Sequence, residues 1–226
     1  MSKLRFIGDV HGQFEFLREK QDEADFSLTV GDIGYDYSAL DGIYQQRGGY
    51  ERHRMIKGNH ELHPLLNSPK RPAYFLDNFG VWELPGGLSV FYLGGAWSID
   101  HAYRTPGVDW FPEEELSGQE LSDAIDLYST VKPHIVATHE APFCCIPYVT
   151  DPSFAKQYGY TDPIKTATNW TLQMFLRIHQ PISWFFGHYH KQGGRQFKLS
   201  YRTIFTHLDM LRPFGNRGGN HFDIDF

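Results

Sequence analysis

Five short segments of this chain end in side chains that bind cations. They are Asp9 and His11 in G-D-V-H-G, Asp32 in G-D-I-G, Asn59 and His60 in G-N-H-E, His139 in T-H-E, and His188 and His190 in G-H-Y-H. Carboxylate, amide oxygen and imidazole are the donors that hard and borderline metals take. Asp9 and His11 are two residues apart and can converge on one cation from a turn; His188 and His190 form a second alternate pair able to serve different ions. Asp32 has two oxygens with which to bridge two cations, and Asn59 adds a neutral oxygen. The pattern is that of a two-metal hydrolytic centre.

Each segment follows a short apolar run, at residues 4–10, 26–30, 53–56, 135–137 and 182–186. Runs of this length ended by glycine or polar residues read as buried strands, so every candidate ligand falls at the carboxyl end of a strand. In layered α/β proteins loops converge at that edge, and residues distant in sequence can share one site. A helix is predicted over residues 13–23, where Phe14, Leu17 and Ala24 recur at helical steps. Ser117 with Glu120 resembles a capping box, followed by one apolar face of Leu121, Ala124, Ile125 and Tyr128. Another helix is expected over 163–178, a strand pair over 81–97 around Pro85-Gly86-Gly87, and sheet-closing strands over 196–226. Residues 98–112 read as irregular.

Taken in order over residues 9–190, the set D-x-H, G-D, G-N-H-E, a lone strand-end histidine and G-H-x-H resembles the calcineurin-like metallophosphoesterases. The resemblance implies an α/β fold, a four-layer αββα sandwich of two mixed β-sheets with the metal site at the strand carboxyl ends. It implies two divalent or trivalent ions, Mn, Fe, Zn or similar: one held by Asp9, His11, Asp32 and His190, the other by Asp32, Asn59, His139 and His188. It implies hydrolysis of a phosphate ester by a metal-bridging hydroxide, with His60 as the general acid. Protein serine/threonine phosphatases of this superfamily carry G-D-x-V-D-R-G, whereas this chain reads G-D-I-G-Y-D-Y and lacks that arginine. Asp36, one residue displaced from the second aspartate of that motif, would then orient His60, and Arg104 is the expected phosphate anchor.

Composition narrows the substrate. The 226 residues suffice for a single domain spanning 1–226, with a small cap-like insertion around 98–130. A net charge of −6 without any basic tract favours a small phosphomonoester or phosphodiester, nucleotides included, over a long polyanion. A nuclease or cyclic-nucleotide phosphodiesterase is the second reading, with nucleic acid left open as a partner, and a non-catalytic binding module the third. The two cysteines are neighbours, Cys144 and Cys145, so they cannot join distant parts of the chain, and no apolar stretch reaches membrane-spanning length. A cytoplasmic protein with no membrane partner is expected; oligomeric state leaves no signal in the sequence.

Overall fold

The computed structural model describes residues 1–47, 49–212 and 219–226. From the amino end the chain forms β1 (Lys3–Ile7), α1 (Phe14–Asp22), β2 (Phe26–Thr29), α2 (Tyr37–Arg47), β3 (His53–Met55) and the one-turn α3 (His63–Leu66). Then come β4 (Phe79–Glu83), β5 (Ser89–Leu93), α4 (Gly118–Val131), β6 (Ile135–Thr138), and the short α5 (Ile146–Val149) and α6 (Pro152–Gln157). Helix α7 (Ala167–Ile178) leads to β7 (Ser183–Phe186), β8 (Arg195–Lys198), β9 (Ile204–His207) and β10 (His221–Asp225).

The strands make two mixed sheets. The first runs β10-β1-β2-β3, parallel from β1 to β3 with β10 antiparallel at one edge. The second runs β4-β5-β6-β7-β9-β8, parallel from β5 through β9 and antiparallel at both edges. Side chains alternate across each strand, and the alternation sorts the core into layers. Leu4 and Phe6 of β1 meet Val90 and Tyr92 of β5 between the sheets, where the Phe6 and Phe185 rings stack at 4.0 Å. Ile7 faces outward against Leu17, Leu40 and Tyr44 of α1 and α2, while Phe91 and Leu93 face the opposite outer layer of α4 and α7. The result is helix, sheet, sheet, helix, with every parallel strand pointing its carboxyl end toward the same edge.

The predicted strands and helices are present, within about four residues at their ends, and the differences have local causes. Helix α7 begins at Ala167 because Thr166 caps it, its side chain accepting from Asn169 N. The expected Ser117/Glu120 capping box opens α4. Although that helix fell inside the expected cap-like segment, Leu121, Ala124 and Tyr128 seat it on the second sheet, and Tyr128 stacks on Phe175 at 4.2 Å. The tail does not close a single sheet. Strands β8 and β9 extend the second sheet, β10 returns to pair with β1 in the first, and residues 213–218 lie outside the described residues.

Arg5 locks that return. It stands opposite Asp223 in the β1–β10 register, and its buried guanidinium donates to Asp223 Oδ1 at 2.7 Å and Oδ2 at 2.8 Å, and to Glu23 Oε2 at 2.6 Å. The hydrogen bonds from Arg5 hold the Asp223 carboxyl below its ordinary range. A depressed carboxyl contributes stability above its unfolded pKa and loses it as pH falls through the folded value. Asp223→Asn should therefore lower unfolding free energy by about 1.5–3 kcal/mol near neutrality, a difference that shrinks in acid; urea denaturation at pH 7 and at pH 3 measures both.

Candidate metal centre

The turns after β1, β2, β3, β6 and β7 meet at the shared sheet edge, and backbone hydrogen bonds fix their spacing. Val10 N and His11 N donate to Asp32 O at 2.9 and 2.8 Å, joining the first turn to the second. Glu61, fully buried, accepts from Ile33 N and Gly58 N at 2.6 Å each, joining the second to the third. The turn after β7 is tied in when His188 N donates to both oxygens of Asp9, at 3.1 and 2.9 Å. Two glycines make these approaches possible. A Cβ on Gly187 would overlap Asp9 Oδ1, and one on Gly58 would overlap Asp32 Oδ1 and lie 2.7 Å from His139 Nε2.

Among the described residues, five non-glycine positions have positive φ: His11, Asp32, Lys132, His188 and His190. Lys132 merely ends α4 as a left-handed cap. The other four belong to the candidate ligand set. Left-handed backbone costs about 1–3 kcal/mol at such residues and persists only where surrounding structure imposes it, characteristically at functional sites.

Two clusters result. Asp9, His11, Asp32 and His190 bring one donor atom each within 4.8 Å of one another, and Asp32, His139 and His188 do the same. Asn59 completes the second cluster, its Oδ1 lying 3.0 Å from both His139 Nε2 and His188 Nδ1. Asp32 divides its oxygens between them. Oδ1 lies 3.2 Å from His139 Nε2, while Oδ2 is 3.6 Å from His11 Nε2 and 3.9 Å from His190 Nε2. Behind the second cluster, His139 Nδ1 donates to Val30 O at 2.7 Å, which turns the Nε2 lone pair inward.

The residues fit two cations. Asp32 Oδ2 is buried with no hydrogen-bond partner, although two imidazole Nε2 atoms of the first cluster face it and lie 2.9 Å from each other. Converging lone pairs from buried oxygens and ring nitrogens are a coordination set. The electrostatics agree. Burial works against charge on His139 and His190, yet the Asp32 and Asp9 carboxylates raise the first to about 9 and the second to about 10. Burial also opposes ionisation of Asp32, but His139 and His60 hold its carboxyl well below the ordinary range. His188, half-buried next to His139, is pushed down to about 3 by desolvation and by that neighbour, and offers a neutral ring.

His60 stands beside the first cluster, its ring 5.4 Å from that of His11 and its backbone N donating to Asp32 Oδ1 at 2.9 Å. Asp36 does not reach it. That carboxylate is exposed at the start of α2, accepting from Ser38 Oγ at 2.7 Å and Ala39 N at 3.2 Å, which draw it below its usual range. Arg104 occupies the place expected of Asp36. Its side chain is only 9% exposed, with Nη2 3.0 Å from His60 Nε2 and 2.7 Å from Asp100 Oδ1. Ser98 and Glu114 are the residues that sequence reasoning missed: Asn59 Nδ2 donates to Ser98 Oγ at 2.9 Å, and Ser98 in turn donates to Glu114. Both sit in segments that read as irregular or solvent-facing, with no periodicity to betray burial.

A family model described as calcineurin-like phosphoesterase matches residues 2–192. Among solved structures, a dimetal phosphatase from Danio rerio is similar over 92% of this chain and 87% of its own, at 16% identity and TM-score 0.57. A conserved uncharacterized protein from Streptococcus pneumoniae, described as a predicted phosphoesterase, is similar over 99% of this chain and 83% of its own, at 12% identity and TM-score 0.41. No curated protein matches the chain. The first likeness shows a shared fold, and the family match over most of the chain shows its class: the chain belongs to the calcineurin-like phosphoesterase family and is a metal-dependent hydrolase of phosphate esters.

Proposed function

We propose that the chain hydrolyses a small phosphomonoester or phosphodiester at a two-metal centre. One ion is held by Asp9, His11, Asp32 and His190, the other by Asp32, Asn59, His139 and His188. The observation that carries the reading is Asp32 turning one oxygen toward each cluster. The mixed oxygen and imidazole set suits Mn, Fe or Zn. When bound, such ions supply a water acidic enough to ionise near neutrality and positive charge for the phosphate oxygens.

The protein's own groups account for the remaining work. Arg104 is anchored by Asp100 and lies with Nη1 3.6 Å from Glu114 Oε1, so it presents a held guanidinium rather than a free surface charge. A phosphate oxygen entering beside it takes the N–H now directed at His60 Nε2. Arg104 thereby becomes the phosphate anchor, and His60 Nε2, which accepts that N–H and carries no proton in this arrangement, is freed to take up a proton from solvent and pass it to the departing alkoxide oxygen. Burial lowers the pKa of His60 while Asp32 opposes that shift, which favours a proton donor poised to give up its charge. Asp36 serves α2 as a cap and has no part in this step.

The nucleotide reading has a specific observation in its favour. On the segments flanking Arg104, His101 contacts the rings of Trp97 and Trp110 at 5.0 and 6.0 Å between centroids, and Tyr160 joins from elsewhere in the chain, 5.6 Å from Trp97. Such rings suit a planar organic group attached to the phosphate. Among the described residues no helix is long and apolar enough to cross a membrane. The free thiols of Cys144 and Cys145 fit a reducing compartment, and we place the protein in the cytoplasm on that basis.

Chelation should abolish hydrolysis, and separate return of Mn, Zn, Fe and Mg should restore it unequally on nitrophenyl phosphate, its bis-ester and a nucleotide panel. Two ions bound per chain with no ester cleaved under any metal overturns the proposal. His60→Ala should keep both ions yet lose about 10²–10⁴ in rate on esters with poor leaving groups; equal rates in variant and parent would remove His60 from the mechanism. Arg104→Ala should raise KM for phosphomonoesters without changing metal stoichiometry, a split that steady-state kinetics beside metal analysis resolves.

A further inference from the structure

The turn after β3 and the segment after β5 belong to different sheets, yet a continuous polar chain joins them. Asn59 Nδ2 donates to Ser98 Oγ at 2.9 Å, and Ser98 donates to Glu114 Oε2. Glu114 Oε1 lies 3.6 Å from Arg104 Nη1, and Arg104 Nη2 meets His60 Nε2 at 3.0 Å. Asn59, Ser98 and Glu114 are all at most 3% exposed, so water does not compete for these bonds.

The direction of donation matters. Burial raises the Glu114 pKa to about 7, and Arg104 at 3.6 Å favours the ionised form; an ionised carboxylate only accepts, so Ser98 turns its hydroxyl proton toward Glu114 and its lone pairs toward Asn59. The Asn59 amide must then present N–H to Ser98, which leaves Oδ1 aimed at His139 and His188. An amide turned the other way would direct two N–H donors at the cation and leave Ser98 without a donor.

We infer that Glu114, acting through Ser98, is a positioning residue that fixes the Asn59 amide with its oxygen toward the second metal, and that the same carboxylate steadies Arg104. The inference rests on the two-metal reading above. Ser98 serves only the metal limb of this relay, whereas Glu114 serves both limbs. Losing a residue that orients a metal ligand weakens affinity by about 10- to 100-fold.

Calorimetric titration of the chelator-stripped full chain with Mn is the test. Ser98→Ala should weaken one of two ions by about 10- to 100-fold and leave the other unchanged. Ser98→Thr keeps the hydroxyl and should restore the parent affinity. Glu114→Gln should weaken the same ion and also raise KM. Asn59→Ala is the control that separates the two levels of argument. If it leaves both ions at parent affinity, the ligand assignment itself fails. If it weakens one ion while Ser98→Ala and Glu114→Gln bind like the parent, only the positioning role is overturned. Equal loss of both ions in Ser98→Ala and Ser98→Thr would likewise reduce the relay to general structural support.

Discussion

The Asp32 carboxylate is the point on which the two halves of the molecule agree. It is buried at the end of β2 in the first sheet, yet one of its oxygens lies 3.2 Å from His139, which the second sheet supplies. Its backbone oxygen receives the turn after β1, and its Oδ1 receives the backbone of His60 from the turn after β3. Three neighbouring turns of one sheet and a ligand from the other are thus registered on a single residue. A buried carboxylate is costly unless positive charge is close, and the rings of His139 and His190 stand near enough to Asp32 to have their pKa values raised by it. The sandwich supplies the rigid frame: apolar side chains interlock between the sheets, and the strand ends cannot slide apart without opening that core.

Strain is concentrated at the same place. His11, Asp32, His188 and His190 hold left-handed backbone that their side chains disfavour. Each such turn reverses the chain sharply just after a strand and aims its donor back toward the shared edge. The cost is offset by the bonds that lock the turns together, including the paired amides on Glu61 and the amide of His188 on Asp9. Glycine at 58 and 187 removes the Cβ atoms that would force those turns away from Asp32 and Asp9.

The strand-end ligands were legible because each follows an apolar run, and because donor type and order repeat over five segments. Layering was legible for the same reason: alternation in β1 and β5 divides one side chain set toward the sheet interface and the other toward helices. Helix α2 was missed although Tyr37, Leu40 and Tyr44 keep helical spacing, since Gly42 and the polar residues between them blur the pattern. The tail read as one unit because alternation shows that a strand has two faces, not which sheet it joins. Asp36 fell outside the site for a positional reason: a carboxylate starting a helix finds backbone N–H groups at once, and that local bond competes with any reach toward His60. Arg104 was expected as an anchor, but its burial and that of Ser98 and Glu114 have no local signal in the sequence. Their burial arises where an irregular segment folds over a turn from the other sheet.

That last distinction separates the parts of the site by how they are built. The candidate ligands stand on strand ends, where packing of the whole sandwich sets their positions. The groups proposed to face the substrate stand on residues 97–114, whose regular structure amounts to single turns of 3-10 helix and one isolated bridge, with the ring contacts of Trp97, His101 and Trp110. A segment without regular structure can change its organic contacts at little cost to the core. Here its freedom is limited, because the same segment supplies Ser98 to Asn59 and Arg104 to His60. On the proposed reading, changes at the half-buried rings tune which ester is accepted, whereas changes at the buried polar residues between them disturb Asn59 and His60 together. Substrate choice and metal geometry, on the same proposed reading, depend on one short stretch of chain but on different side chains within it.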